Sequence, residues 1–145
     1  MHSFEPQAHL IDVMKKTLEL NQIDNVTLHH AVAGAKLGKA HLKRTHVENS
    51  GMAEFRPGAG DLPVDMLPVD DVVGEEHVTG VKIDVEGMQM PVLRGMSKTI
   101  RRCAPVLWLE LRPAKGEIEQ PFEWLAKRGY RRQQISFRDF LFIPE

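Results

Sequence analysis

Apolar positions along this chain switch between a spacing near 3.6 and a spacing of two, and the switches mark its elements. Leu10, Val13, Met14 and Leu18 recur at helical intervals within residues 7–20, with Asp12, Lys15, Lys16 and Glu19 opposite. This predicts an amphipathic helix entered through Pro6 and stopped by Asn21 and Asp24-Asn25. Ser3-Phe4-Glu5 reads as the end of a strand feeding that helix. Residues 26–32 alternate, Val26, Leu28, His30 and Val32 against Thr27, His29 and Ala31, and predict a strand broken by Gly34. A short helix is expected over residues 68–73. A second amphipathic helix follows over 89–102, with Pro91 in its first turn and Val92, Leu93, Met96 and Ile100 turned inward. Residues 106–111 predict an apolar strand closing on an acid, residues 121–128 a third helix ended by Gly129, and residues 130–134 and 138–143 an antiparallel pair around Ser136.

Residues 35–68 have another texture. Short β-like pieces at 40–45 and 52–55 are separated by Gly38, Asn49-Ser50-Gly51 and Pro57-Gly58-Ala59-Gly60, which predicts a hairpin-like excursion or a flap over the core. The alternation elsewhere predicts one α/β domain over residues 1–145. Its sheet is expected to be doubly wound and Rossmann-like, mostly parallel, and finished by the C-terminal antiparallel hairpin.

Residues 81–87, Val-Lys-Ile-Asp-Val-Glu-Gly, break the apolar rule for a covered parallel strand. Val81, Ile83 and Val85 share one face, and Lys82, Asp84 and Glu86 share the other. Open α/β sheets bind ligands at the carboxyl ends of their strands, so this charged face is a candidate site; the alternative is an edge strand with a solvated face. Asp84 and Glu86 lie about 7 Å apart along the strand, close enough to reach one bound molecule. Lys82 fits a charge partner better than a catalyst, because a buried lysine without a carboxylate is costly.

Composition narrows the function. The 145 residues are 42% hydrophobic and 27% charged with a formal net charge of -1, which argues against an electrostatic grip on nucleic acid or acidic lipid. No run approaches the roughly 18 apolar residues of a membrane span, and no signal peptide is evident, so a cytoplasmic location is expected. The single cysteine, Cys103, cannot form an internal disulfide. The seven histidines show no spacing that converges on a metal, and none is expected. Lys36, Lys39, Lys43 and Arg44 form a local basic patch, read as a solvated loop face or an anionic substrate contact; Trp108 and Trp124 are expected to pack in the core.

Several segments, taken in order, carry a resemblance. Phe4-Glu5-Pro6 ahead of a Leu-rich helix, Asn25-Val26-Thr27-Leu28, Ala31-Val32-Ala33-Gly34, Asn49-Ser50-Gly51, Lys82-Ile83-Asp84-Val85-Glu86-Gly87 and Pro105-Val106-Leu107-Trp108-Leu109-Glu110-Leu111 resemble the FkbM family of class I methyltransferases. The resemblance implies S-adenosylmethionine as cofactor and methyl transfer to a hydroxyl of a small molecule or glycan. It places Glu5 and Pro6 at the cofactor ribose, and Ala31 and Val32 beside the adenine. Ala35 stands where relatives often carry Asp. Asp84 and Glu86 become the candidate proton acceptors, Asp84 on the cofactor side and Glu86 on the substrate side or the reverse.

The family pattern also includes a first strand and a glycine-rich turn, expected ahead of Met1, so the sheet is expected to be incomplete at the N-terminus. A shortened reading frame, a contracted sheet pairing the strands at residues 3–5 and 81–85, and a strand borrowed from another copy each account for this. Exposed strand edges are expected to favour association of two copies. The alternative to an enzyme is a non-catalytic remnant serving as a binding or interaction module.

Overall fold

A computed structural model describes residues 1–42, 55–56 and 62–145. The chain starts with β1 (His2–Phe4), then α1 (Ala8–Leu20), β2 (Thr27–His29) and β3 (Val32–Ala33). A second group comprises β4 (Gly38–Leu42), β5 (Phe55–Arg56), β6 (Leu62–Leu67) and α2 (Val69–Val73). The remainder is β7 (Gly80–Ile83), α3 (Gln89–Gly95), α4 (Ser97–Cys103), β8 (Val106–Glu110), a 3-10 turn at Pro113–Lys115, α5 (Glu119–Ala126), β9 (Tyr130–Gln134) and β10 (Asp139–Pro144).

The fold is α/β, as the alternation predicts, but the strands of its described residues are distributed over three sheets. β1 and β2 form a parallel pair, β7-β8-β10-β9 make a four-stranded sheet, and β3-β6-β4-β5 make another. Among the described residues, parallel pairing is confined to β1·β2, β3·β6 and β7·β8; the terminal hairpin and the excursion supply antiparallel pairings. Among the described residues β1 and β7 are not hydrogen-bonded to each other, so a contracted sheet joining those two strands is not what the chain forms.

Several elements differ from their sequence patterns for physical reasons. The single strand expected over 26–32 divides because the Ala31 amide bonds back to the His29 carbonyl at 2.9 Å, turning the chain out of one sheet and into the next. The helix expected over 89–102 breaks at Met96. There Asp70 accepts hydrogen bonds from the Lys98 and Thr99 amides (3.0 and 2.8 Å) and the Thr99 hydroxyl (2.7 Å), capping α4 as a separate helix. β6 has no counterpart in the pattern, since Pro63 and Asp65 hide its alternation, yet it pairs with β4 over five residues and with β3. Asn49-Ser50-Gly51, Lys43, Arg44 and the stretch 57–60 lie outside the described residues.

The core lies between the β7-β8-β10-β9 sheet and α2, α3, α4 and α5. Leu93, Met96, Leu107, Leu109, Leu111, Leu125 and Phe142 are almost wholly removed from water, each burial being worth about 1.5–3 kcal/mol. Phe122 meets Phe140 and Phe142 edge-on at 5.0 and 5.7 Å, fixing α5 on the sheet. Alternation sends Leu107 and Leu109 inward and Val106 and Trp108 outward. Trp108 therefore does not pack in the core: it is 43% exposed, with its indole N–H donated to Asp139 Oδ1 at 2.8 Å. Val13, expected on the inward side of α1, is likewise exposed.

Candidate active site

β1 ends at Phe4, whose ring stacks on His29 at 4.8 Å, and the Glu5 amide extends the parallel pairing by donating to the His29 carbonyl at 3.0 Å. Strand geometry thus delivers Glu5 to the carboxyl end of its sheet. Its Oε1 accepts the Gln7 amide hydrogen at 2.8 Å, just ahead of α1. His29 also approaches His2, Nε2 to Nδ1 at 3.0 Å, and His2 Nε2 lies 3.1 Å from Glu76. Burial, then the neighbouring His2, lowers the His29 pKa from its ordinary value.

β7 ends at Ile83, so Asp84 and Glu86 leave the strand at its carboxyl end. Asp84 Oδ2 accepts from Lys82 Nζ at 3.1 Å in a pair more than half exposed, so Lys82 is a charge partner on a solvated face. Glu86 is ion-paired with Arg112. Gly87 then takes a φ of +75°, the left-handed conformation that favours glycine, and turns the chain into α3.

One cavity of about 140 Å³ joins these groups. Glu5, Pro6, Ala31 and Val32 line one side; Asp84 and Glu86 line the other. All six candidate site residues thus face a single space, lined from three sheets whose strands do not pair with one another among the described residues. A larger depression of about 510 Å³ beside Arg101, Arg128 and Tyr130 contains none of them.

Behind the Glu86 wall stand residues the sequence pattern did not single out. Gln89 is 4% exposed, and its amide nitrogen donates to the Val85 carbonyl (2.7 Å), the Glu110 carbonyl (3.2 Å) and Glu117 Oε2 (3.3 Å). Glu117 also accepts the Arg112 backbone amide at 2.9 Å and Arg112 Nε at 3.0 and 3.1 Å. Burial opposes charge on Glu117, but the Arg112 hydrogen bonds and charge outweigh it and hold the carboxyl below its ordinary pKa. Glu110, registered beside Asp84 by the Ile83–Leu109 pairing, shows the opposite. Burial, followed by the Asp84 carboxylate, raises its pKa. An acid closing an apolar strand was the visible signal for Glu110; Arg112 and Glu117, in a loop without periodicity, gave none.

Among the described residues no three His, Cys, Asp or Glu side chains converge as a metal site, and no helix is long and apolar enough to cross a membrane.

Residues 1–132 match the family model of the methyltransferase FkbM domain. The chain belongs to the FkbM methyltransferase family. Its fold is similar to the crystal structure of a methyltransferase FkbM from Methylobacillus flagellatus KT, with a TM-score of 0.71 at 16% identity over 97% of this chain and 35% of that one. A "Methyltransferase 1" of Beauveria bassiana is 23% identical over 152 residues, covering 88% of this chain and 61% of that protein. The FkbM chain therefore spans about three fifths of the length of the curated relative and about a third of the solved one.

Proposed function

We propose that this FkbM domain takes part in S-adenosylmethionine-dependent methyl transfer to a hydroxyl of a small molecule or glycan. The carrying observation is the single cavity that Glu5, Pro6, Ala31, Val32, Asp84 and Glu86 line together. These residues fit the nucleoside end of the cofactor. Glu5 binds protein through Oε1 alone among the described residues, leaving Oε2 as an acceptor for ribose hydroxyls, while Ala31 and Val32 offer an apolar edge to adenine. At about 140 Å³ the cavity is smaller than the roughly 300–1,000 Å³ of sites that enclose a whole ligand of this kind, so the described residues supply one part of the pocket.

When bound, the cofactor supplies a methyl group on a sulfonium. What the protein contributes is position and a proton acceptor. Transfer to a hydroxyl needs the oxygen aligned behind the methyl carbon and a base in reach; alignment provides most of the acceleration, and a base about 10²–10⁴-fold. Asp84 is held by Lys82 at an exposed position and shares a side-chain hydrogen bond with Glu110, whereas Glu86 is engaged by the Arg112 guanidinium. Asp84, which carries no guanidinium, is assigned the proton, and Glu86 a place on the wall where cofactor and acceptor meet. The partners in this reading are a small hydroxylated acceptor and, through the edges of β1 and β7 that no strand pairs among the described residues, a second copy of the chain.

Calorimetric titration with S-adenosylmethionine tests it. Saturable binding is expected, weakened about a hundredfold by Glu5→Ala as two hydrogen bonds to a charged acceptor are lost. Absence of heat at millimolar cofactor overturns the reading for this chain and leaves a non-catalytic interaction module.

A further inference from the structure

The carboxyl ends of β7 and β8 are fastened to each other by a set of side chains that line no part of the cavity. Arg112 donates to two carboxylates at once: its Nε and Nη2 engage Glu117, Nη2 at 2.5 Å from Oε1, while Nη1 meets Glu86. The Arg112 and Glu117 side chains are only 15% and 11% exposed, whereas Glu86, at 29%, reaches the cavity. Gln89 adds the tie between strands, joining the Val85 and Glu110 carbonyls to Glu117. Without these partners Glu86 would hang from a loop beside the positive-φ Gly87, free to sample several rotamers.

A guanidinium presents its donors in a planar fork, so a carboxylate bound to one edge fixes the direction of the other edge. Glu117 occupies the Nε/Nη2 edge of Arg112, which orients the remaining Nη1 toward Glu86. We propose that Glu117 is a positioning residue: acting through Arg112, it fixes the Glu86 carboxylate at the cavity wall. The role rests on the methyl-transfer reading of the cavity, but the contact chain from Glu117 to Glu86 stands without it.

The experiment is a double-mutant cycle of Glu117→Gln and Glu86→Gln on the full chain, read by calorimetric titration with S-adenosylmethionine and, without ligand, by NMR of the Glu86 side-chain carboxyl carbon and the Arg112 Nε–H. Glu117→Gln is expected to weaken cofactor binding on the order of tenfold in the wild-type background and less than about twofold once Glu86 is Gln, since coupled residues are non-additive. It is also expected to move the Glu86 carbon signal and speed exchange of the Arg112 Nε–H. Equal weakening in both backgrounds overturns the proposal, because Glu117 then acts independently of Glu86. If Glu117→Gln does not fold, Glu117→Asp, which keeps the charge and shortens the reach, enters the same cycle with the same expectations. If the wild-type chain binds no cofactor, the methyl-transfer reading fails, and the ligand-free signals decide alone. A Glu86 carbon signal unmoved by the Glu117 substitution then overturns the proposal.

Discussion

Glu110 and Glu117 stand one strand end apart, yet their surroundings push them in opposite directions. Glu117 has a guanidinium on it, and its pKa falls; Glu110 has burial and a second carboxylate, Asp84, and its pKa rises. A carboxyl with a raised folded-state pKa contributes stability below its unfolded value of 4.5, and that contribution is lost as pH rises through the folded value. Once ionised, above that folded value, Glu110 therefore weakens the fold. Glu110→Gln, which keeps the shape and can donate to Asp84, is expected to raise Tm at pH 7, by roughly 2–4 °C for each kcal/mol in a chain of this size, and to leave Tm unchanged near pH 4. Thermal melts of the two proteins across that pH range check it. A gain equal at both ends of the range would show that packing, not charge, is responsible.

At the scale of elements, Gly95 of α3 meets the end of β3 more closely than any other described glycine meets its surroundings. A Cβ built on Gly95 would come within 1.8 Å of the Gly34 carbonyl oxygen, a backbone atom that cannot move without shifting β3. Gly95→Ala is expected to cost about 2–4 kcal/mol, measured by urea denaturation, with a matching loss of the Val32 wall of the cavity. Gly34→Ala is the contrast. The nearest atoms to its Cβ are Sδ and Cγ of the Met66 side chain, so a rotamer change at Met66 and not a backbone shift must make room, and the cost should stay below that of Gly95→Ala. This junction also explains what the sequence could and could not disclose. Helix periodicity located α1 and α3 with α4, β-alternation located β7 and the stretch that divides into β2 and β3, and an apolar run located β8, because each of these signals is local. Where long-range contacts decide, local pattern had nothing to report. The break at Met96 depends on Asp70, far away in sequence, and the split of the strand at Ala31 depends on β6 being available to pair with Val32. Glu5, Asp84 and Glu86 were legible because charges closing strands are rare. Gln89, Arg112 and Glu117 were not, since their meaning lies only in one another's positions.

At the scale of the whole molecule, the cavity's walls come from separate sheets, with Val32 supplied by that of β3. Glu5 and Pro6 follow β1, and Asp84 and Glu86 follow β7. Among the described residues Phe4 packs on the main core, His2 reaches Glu76 at 3.1 Å, Val32 clusters with Met88 and Val85, and Gly34 lies against Gly95. α1 buries Ile11 alone among its residues, whereas the β8–β10 side holds nearly every fully buried side chain. Local opening therefore has a low free energy in the β1–α1–β2 unit and a high one in the β7-β8-β10-β9 sheet. A ligand touching both walls stabilises the state in which they face each other, by an amount set by its concentration relative to Kd. Hydrogen exchange should show this as a difference between regions. The amides of Ser3, Phe4, Glu5, Leu28 and His29 are expected to exchange faster than those of Leu107, Leu109, Phe140 and Phe142 in the free protein, and to slow on addition of S-adenosylmethionine while the latter set stays unchanged. Slowing confined to the Asp84–Glu86 side would mean that the ligand uses one wall only, and would remove Glu5 from the cofactor site.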